Sequence, residues 1–438
     1  MSTPYVPSPP PPAKKSNIGV LLAILILAVF VAGAGYWLWS RGKSGSTAST
    51  GSAGAAVAVS DTSPKVDVPL IKAIAEGKID DAKELLAKGA DVNAANSDGT
   101  SALMQAAEGN AYLPNNGPTV TMLLDKGANV DAQDKRGRTA LYRAATEGKD
   151  EAMRLLVGHK ANLNTKAEDG STALLETVNF GKMASLKFLL ESGAQADIAD
   201  AQGNTPLMIA AEGNAYMPNN APLVLALLEK GVKVDAQDSN GRTPLYRAAM
   251  EGKTDAGALL LDKQANPNQK ANNGSTPLLE AVTKGHVPTL QLLLGKGADV
   301  DLADAEGNTP LMVAAEGNAY MPNNEPVVAA LLAANAKVDA QDSHGRTALY
   351  RAAKEGKVDA MRLLLEKKAN PNQKDSDGST PLLAAVAGKV EAVTLLLDNG
   401  ADANLADANA VTPLMRAAEG DPNTKQQIIS KLRIHKAR

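Results

Sequence analysis

Residues 138–170 read RTALYRAATEGKDEAMRLLVGHKANLNTKAEDG, and residues 171–203 read STALLETVNFGKMASLKFLLESGAQADIADAQG. Both stretches are 33 residues long and share one grammar. Thr-x-Leu opens each, a small apolar patch and Leu-Leu follow, and an Asp- or Asn-rich turn closes on Gly. Thr205-Pro206 and Thr309-Pro310 set an N-cap before a proline at the first helical position, where the missing N–H has no partner to lose. Paired leucines such as Leu363 and Leu364 mark a second amphipathic helix. Gly297, after Leu293-Leu294, reads as a left-handed helix stop. The unit recurs eleven times, beginning near Lys65, Thr100, Arg138, Ser171, Asn204, Arg242, Ser275, Asn308, Arg346, Ser379 and Val411.

A unit reading T-P-L-x-x-A-A, then Leu-Leu-Leu, then G-A-D-V-N resembles the ankyrin repeat, and the resemblance spans residues 65–432. It implies an all-α repeat solenoid, with two antiparallel helices per unit and a β-hairpin finger between units. Neighbouring units would bury one another's apolar faces, and none would be stable alone. Helices packed ~8–10 Å apart would make a rod roughly 90–110 Å long. One departure from the family is systematic. The position after T-P-L, usually His, cycles through Met208, Tyr246, Leu279 and then Met312, Tyr350, Leu383. The hydrogen bonds credited to that His must be replaced or absent. Lys160, Gln264 and Lys368 stand where the helix-stop glycine is expected, so these side chains would have to adopt left-handed backbone.

A longer period lies over the short one. GNAYLPNN starts at Gly109, and GNAYMPNN at Gly213 and Gly317, each 104 residues after the last. A three-repeat cassette has been copied, at 100–203, 204–307 and 308–410. The phrase lies between the two helices of the first repeat, with Pro218 and Asn219-Asn220 as turn formers and Pro222 starting the second helix. It is far more constant than the helix after it, which reads TVTMLLDKGANV, LVLALLEKGVKV and VVAALLAANAKV. Two readings follow. Either Tyr112, Tyr216 and Tyr320 cap the neighbouring core, or the loops bind a ligand through those tyrosines with Asn115, Asn116, Asn219, Asn220, Asn323 and Asn324.

Each cassette also contains GRTxLYRAA. By the resemblance, the finger and first helix line the concave face where partners of this family bind. That places Arg138, Tyr142 and Arg143, Arg242, Tyr246 and Arg247, and Arg346, Tyr350 and Arg351 along the groove. Glu168, Asp169 and Glu176 lie between the pairs, so the groove alternates in sign. It would suit an acidic or extended protein partner, unless the arginines pair with the chain's own acids.

Ahead of the repeats, Ile18 to Trp39 is a 22-residue run without charge, about 33 Å of helix at ~1.5 Å per residue and enough to span a bilayer. Tyr36, Trp37 and Trp39 would form its interfacial belt. The expected organisation is a Pro-rich tail at 1–17, a transmembrane helix at 18–40, a Gly/Ser/Ala-rich tether at 41–64, the repeats, and a basic tail at 433–438. The alternative is a cleaved signal peptide, with Ala32-Gly33-Ala34 as the cleavage site. Lys14, Lys15 and the terminal amine against Arg41 and Lys43 favour the tail inside, which in a bacterial inner membrane puts the repeats in the periplasm.

Chemistry finds no foothold. There is no cysteine, and the four histidines (His159, His286, His344, His435) occupy unrelated repeat positions. A calcium loop at DSDG, 375–378, fails because Gln373 stands where an acid is needed. A net charge of -3 leaves no global footprint for nucleic acid. No cofactor, metal or catalysis is expected. The expected function is protein binding through the groove and loops, the alternative a self-associating spacer of the cell envelope.

Overall fold

The computed structural model describes residues 68–112, 116–214 and 219–436. The expected tail, membrane helix and tether lie outside them, as do Asn115 and Tyr216. Among the described residues no helix is long and apolar enough to cross a membrane.

Those residues form 22 α-helices, two for each repeat, from Pro69–Ala75 to Lys425–Ile434. First helices start under a fixed cap. Ser101, Thr139, Thr172, Thr205, Thr243, Thr276, Thr309, Thr347, Thr380 and Thr412 each accept a hydrogen bond from the backbone N–H three residues on. None of these helices exceeds the 10 residues of the last one, below the length at which isolated helices persist in water. Stacking therefore carries the fold. Ala106-Ala107, Ala144-Ala145, Ala210-Ala211 and Ala248-Ala249 are fully buried, letting adjacent first helices approach closely. Leucines of the second helices, Leu123, Leu156, Leu189, Leu227 and Leu260 among them, fill the space behind.

The position after T-P-L has three solutions. Met104 and Met208 turn their sulfurs to the N-cap N–H groups of Ser101 and Thr205, at 3.5 Å. Tyrosines instead reach the next repeat, Tyr142 Oη lying 3.0 Å from Ser171 Oγ and Tyr246 Oη donating to Glu280 Oε1 at 2.7 Å. The leucines Leu279 and Leu383 are simply buried.

The fingers differ from the expected β-hairpins. Among the described residues there are only two isolated bridges, Ala95 with Ser101 and Asn318 with Met321. Each finger closes on two main-chain bonds, Asp134 N–H to the Arg138 carbonyl at 3.0 Å and Gly137 N–H to the Asp134 carbonyl at 2.8 Å for example. Asp134 Oδ1 takes the N–H groups of Arg136 and Arg138, both at 2.9 Å, so a side chain satisfies the backbone that a ladder would have paired. One main-chain bond then joins each finger to the next, as from Lys135 N–H to the Asp98 carbonyl at 3.0 Å.

Lys160, Gln264 and Lys368 are left-handed, with φ of 66°, 65° and 64°. Left-handed backbone costs an L-residue about 1–2 kcal/mol, of which glycine's greater unfolded freedom returns part. Lys368→Gly is expected to raise the melting temperature by a degree or so; calorimetry showing a fall would mean the lysine side chain contributes more than its backbone strain removes.

Repeat 1 has the pattern of the repeat that closes each cassette, VPLIKAIAEGKID against TPLLEAVTKGHVP. Repeat 11 opens as a loop-bearing repeat, VTPLMRAAEG against NTPLMIAAEG, but continues DPNT without the inserted phrase. Its second helix runs to Ile434 and takes in Arg433.

Candidate functional site: repeated loops and buried arginine clamps

Two asparagines build each loop. Asn110, Asn214 and Asn318 donate Nδ2 to carbonyls of the preceding repeat, those of Ala75, Asn179 and Thr283, all at 2.9 Å. Asn110 and Asn318 also accept from the N–H of Tyr112 and Tyr320 at 2.8 Å, folding the loop over. Asn116, Asn220 and Asn324 are buried, and each donates to two carbonyls at the end of its own first helix. Asn220 reaches Ala210 at 2.8 Å and Ala211 at 3.0 Å. Asn116 and Asn324 repeat the arrangement. These contacts are structural, and they explain why the asparagines are constant. Asn219 and Asn323 are exposed and accept from the N–H two residues on, at the start of the second helix.

The tyrosines stand apart. Tyr112 is 73% exposed and Tyr320 64%, so neither ring caps the core. Lys284 Nζ lies 4.3 Å from the Tyr320 ring centroid, a contact worth about 0.5–1 kcal/mol at an exposed site. Packing does not account for a tyrosine repeated at these positions.

The arginines of the groove resolve into clamps. Arg143 donates to Glu108 Oε2 at 2.6 Å, Asp134 Oδ2 at 2.8 Å and Thr100 Oγ1 at 3.0 Å. Arg247 reaches Glu212 at 2.7 Å, Asp238 at 2.5 Å and Asn204. Arg351 reaches Glu316 at 2.8 Å, Asp342 at 2.6 Å and Asn308. Arg138, Arg242 and Arg346 grip the same aspartates from the side, Nε to Oδ2, at 2.8–2.9 Å. Arg143, Arg247 and Arg351 are thus nearly buried and tied to the chain's own acids, whereas Arg138, Arg242 and Arg346 keep about a third of their side-chain surface in solvent. Tyr142, Tyr246 and Tyr350 are largely buried beside them, and burial first of all pushes each phenol above its ordinary value.

Burial pushes the Asp342 carboxyl up. Hydrogen bonds from Arg351, the main-chain N–H groups of Arg346 and His344, and the Arg346 side chain together outweigh it and hold the group down at about 2. Asp134 and Asp238 are lowered by the same balance. The aspartates and Glu108, Glu212 and Glu316 were missed in the sequence reading. The trace of the aspartates is there, an Asp nine residues before Arg143, Arg247 and Arg351.

Matches to the family model for ankyrin repeats (3 copies) cover residues 70–167, 158–218, 215–304, 290–375 and 367–436. This chain is a member of the ankyrin-repeat family. Such proteins generally act as interaction scaffolds and are not enzymes as a class. None of the curated proteins compared matches the chain.

Proposed function

We propose that this chain is a membrane-anchored ankyrin array that binds a partner protein through three copies of one loop. The observation that carries it is the exposure of Tyr112 and Tyr320 within a phrase whose described asparagines are held by hydrogen bonds to the array itself. Tyrosine offers large contact area for the loss of few rotatable bonds. Three equivalent contacts on one array multiply affinity for a partner that presents its epitope more than once. The outer arginines, Arg138, Arg242 and Arg346, supply exposed positive charge to an acidic partner, while Arg143, Arg247 and Arg351 hold the surface in shape. The apolar run Ile18–Trp39 supports an anchor, and the charges flanking it support a periplasmic array. The reading is of a binding protein without catalysis or cofactor.

The test is crosslinking in cells followed by mass spectrometry, comparing wild type with the triple variant Tyr112→Ala, Tyr216→Ala, Tyr320→Ala. The variant is expected to lose a partner that wild type captures, while its stability changes by less than about 1 kcal/mol because surface truncations disturb little. Unchanged partners would move the binding role to the arginine groove. Crosslinks chiefly between copies of the chain, with size growing with concentration, would identify a self-associating spacer instead.

A further inference from the structure

Three kinds of junction alternate along the array, and the side chains that bridge them differ. Where a loop repeat meets an arginine repeat, the buried clamps of Arg143, Arg247 and Arg351 cross over. Where an arginine repeat meets a closing repeat, short polar contacts cross: Ser185 Oγ to Asp150 Oδ1 at 2.6 Å, Thr254 Oγ1 to Thr289 Oγ1 at 2.8 Å, and Tyr246 to Glu280. Where a closing repeat meets the next loop repeat, the first helices share their least extensive contact.

The glycine that ends each first helix follows the same rhythm. At the first two junctions a flexible side chain from the next repeat covers it, Lys149 over Gly109 and Lys182 over Gly148. At the third, the loop itself sits there. A Cβ on Gly77 would lie 2.8 Å from Tyr112 Cβ and 2.9 Å from its carbonyl oxygen, and one on Gly285 2.9 Å from Met321 Cγ and 3.1 Å from the Tyr320 carbonyl oxygen. Both glycines have φ of +72°. The corresponding glycine of the last closing repeat, Gly388, precedes the repeat without the inserted phrase and meets only Thr424 Oγ1 at 3.7 Å.

We propose that the array is articulated. Cassettes move as blocks of three repeats, the joints lie at 99/100, 203/204 and 307/308, and the loop seated on Gly285 is a strap that holds the 307/308 joint closed, with Tyr112 seated in the same way on Gly77 at 99/100. The glycine is the strap's seat, and Asn110, Asn214 or Asn318 is its hook on the preceding repeat. The strap sits at a junction whose first helices pack less than those of the other two kinds, which gives the phrase a mechanical role independent of any partner. Its motion is of the kind expected where few packed contacts oppose opening.

The absence of cysteine allows a direct test on the full chain. Gln291, Ala329 and Arg362 are exposed and occupy equivalent places on three successive second helices. Spin labels on the pair Gln291→Cys/Ala329→Cys span the joint at 307/308, and labels on Ala329→Cys/Arg362→Cys span a junction inside the block. Pulsed dipolar spectroscopy is expected to give a distance distribution roughly twice as wide for the joint pair. Adding Asn318→Ala is expected to widen the joint distribution further and leave the other unchanged. Equal widths in the parent chain overturn the proposal, whether or not the Asn318→Ala protein folds. A joint distribution indifferent to Asn318→Ala removes the strap's role.

Discussion

Asp238→Ala is expected to destabilise the array by about 3–5 kcal/mol, the cost typical of breaking a buried charge pair by removing one partner. Asp238 is buried and takes four hydrogen bonds, from the N–H groups of Asn240 and Arg242 and from the Arg242 and Arg247 side chains. Removing it takes an acceptor from two guanidiniums and two finger N–H groups at once, and leaves the enclosed Arg247 with only Glu212 and Asn204. Because repeats couple only to neighbours, the damage falls on the junction between repeats 5 and 6. Urea unfolding should then split into two transitions, with the halves on either side of 241/242 melting separately. Asp238→Asn, which keeps acceptors for the N–H groups, should lose less. A loss below about 1 kcal/mol would mean that the pair barely breaks even with its desolvation.

Acid is expected to act on all three clamps together. An unfolded aspartate titrates near 3.9, and Asp342 is held at about 2 in the folded chain, with Asp134 and Asp238 also lowered. A depressed carboxyl stabilises the fold fully above its unfolded value, and that stability is lost as pH falls through the folded one. For Asp342 the linkage is worth roughly 2–3 kcal/mol. Melting temperature should therefore hold down to about pH 4 and fall between about pH 4 and pH 2. Asp342→Asn should begin lower at neutral pH and fall less steeply across that window. Parallel curves for the two proteins would show that other groups govern the acid limb.

Much of this was open to reading in the sequence because the signals are local. A threonine before Pro-Leu caps a helix three residues on, and the same cap appears in the structure from Thr139 to Thr412. Helix-stop positions without glycine pointed to left-handed backbone at Lys160, Gln264 and Lys368, and it is there. The β-hairpin finger was what the family resemblance implied, and the Asp- or Asn-rich turn by itself does not separate a ladder from a loop closed by a side chain. Only the acceptor chosen by each N–H separates the two.

The sequence by itself determined the repeat, the start of nearly every first helix and the copying of a three-repeat cassette, since capping and periodicity act within a few residues along the chain. Tertiary structure alone decided what each repeated residue does. Of the adjacent Asn219 and Asn220, one faces solvent and the other is buried against Ala210 and Ala211. Of each arginine pair, the second is enclosed because its acids lie 9 and 35 residues back and meet it only when the repeats stack. Tyr320 remains largely outside because Asn318 fixes its backbone on the previous repeat, with Lys284 lying over the ring. Such roles depend on which surfaces of neighbouring units meet, and that is settled by packing between repeats rather than by any stretch of chain alone.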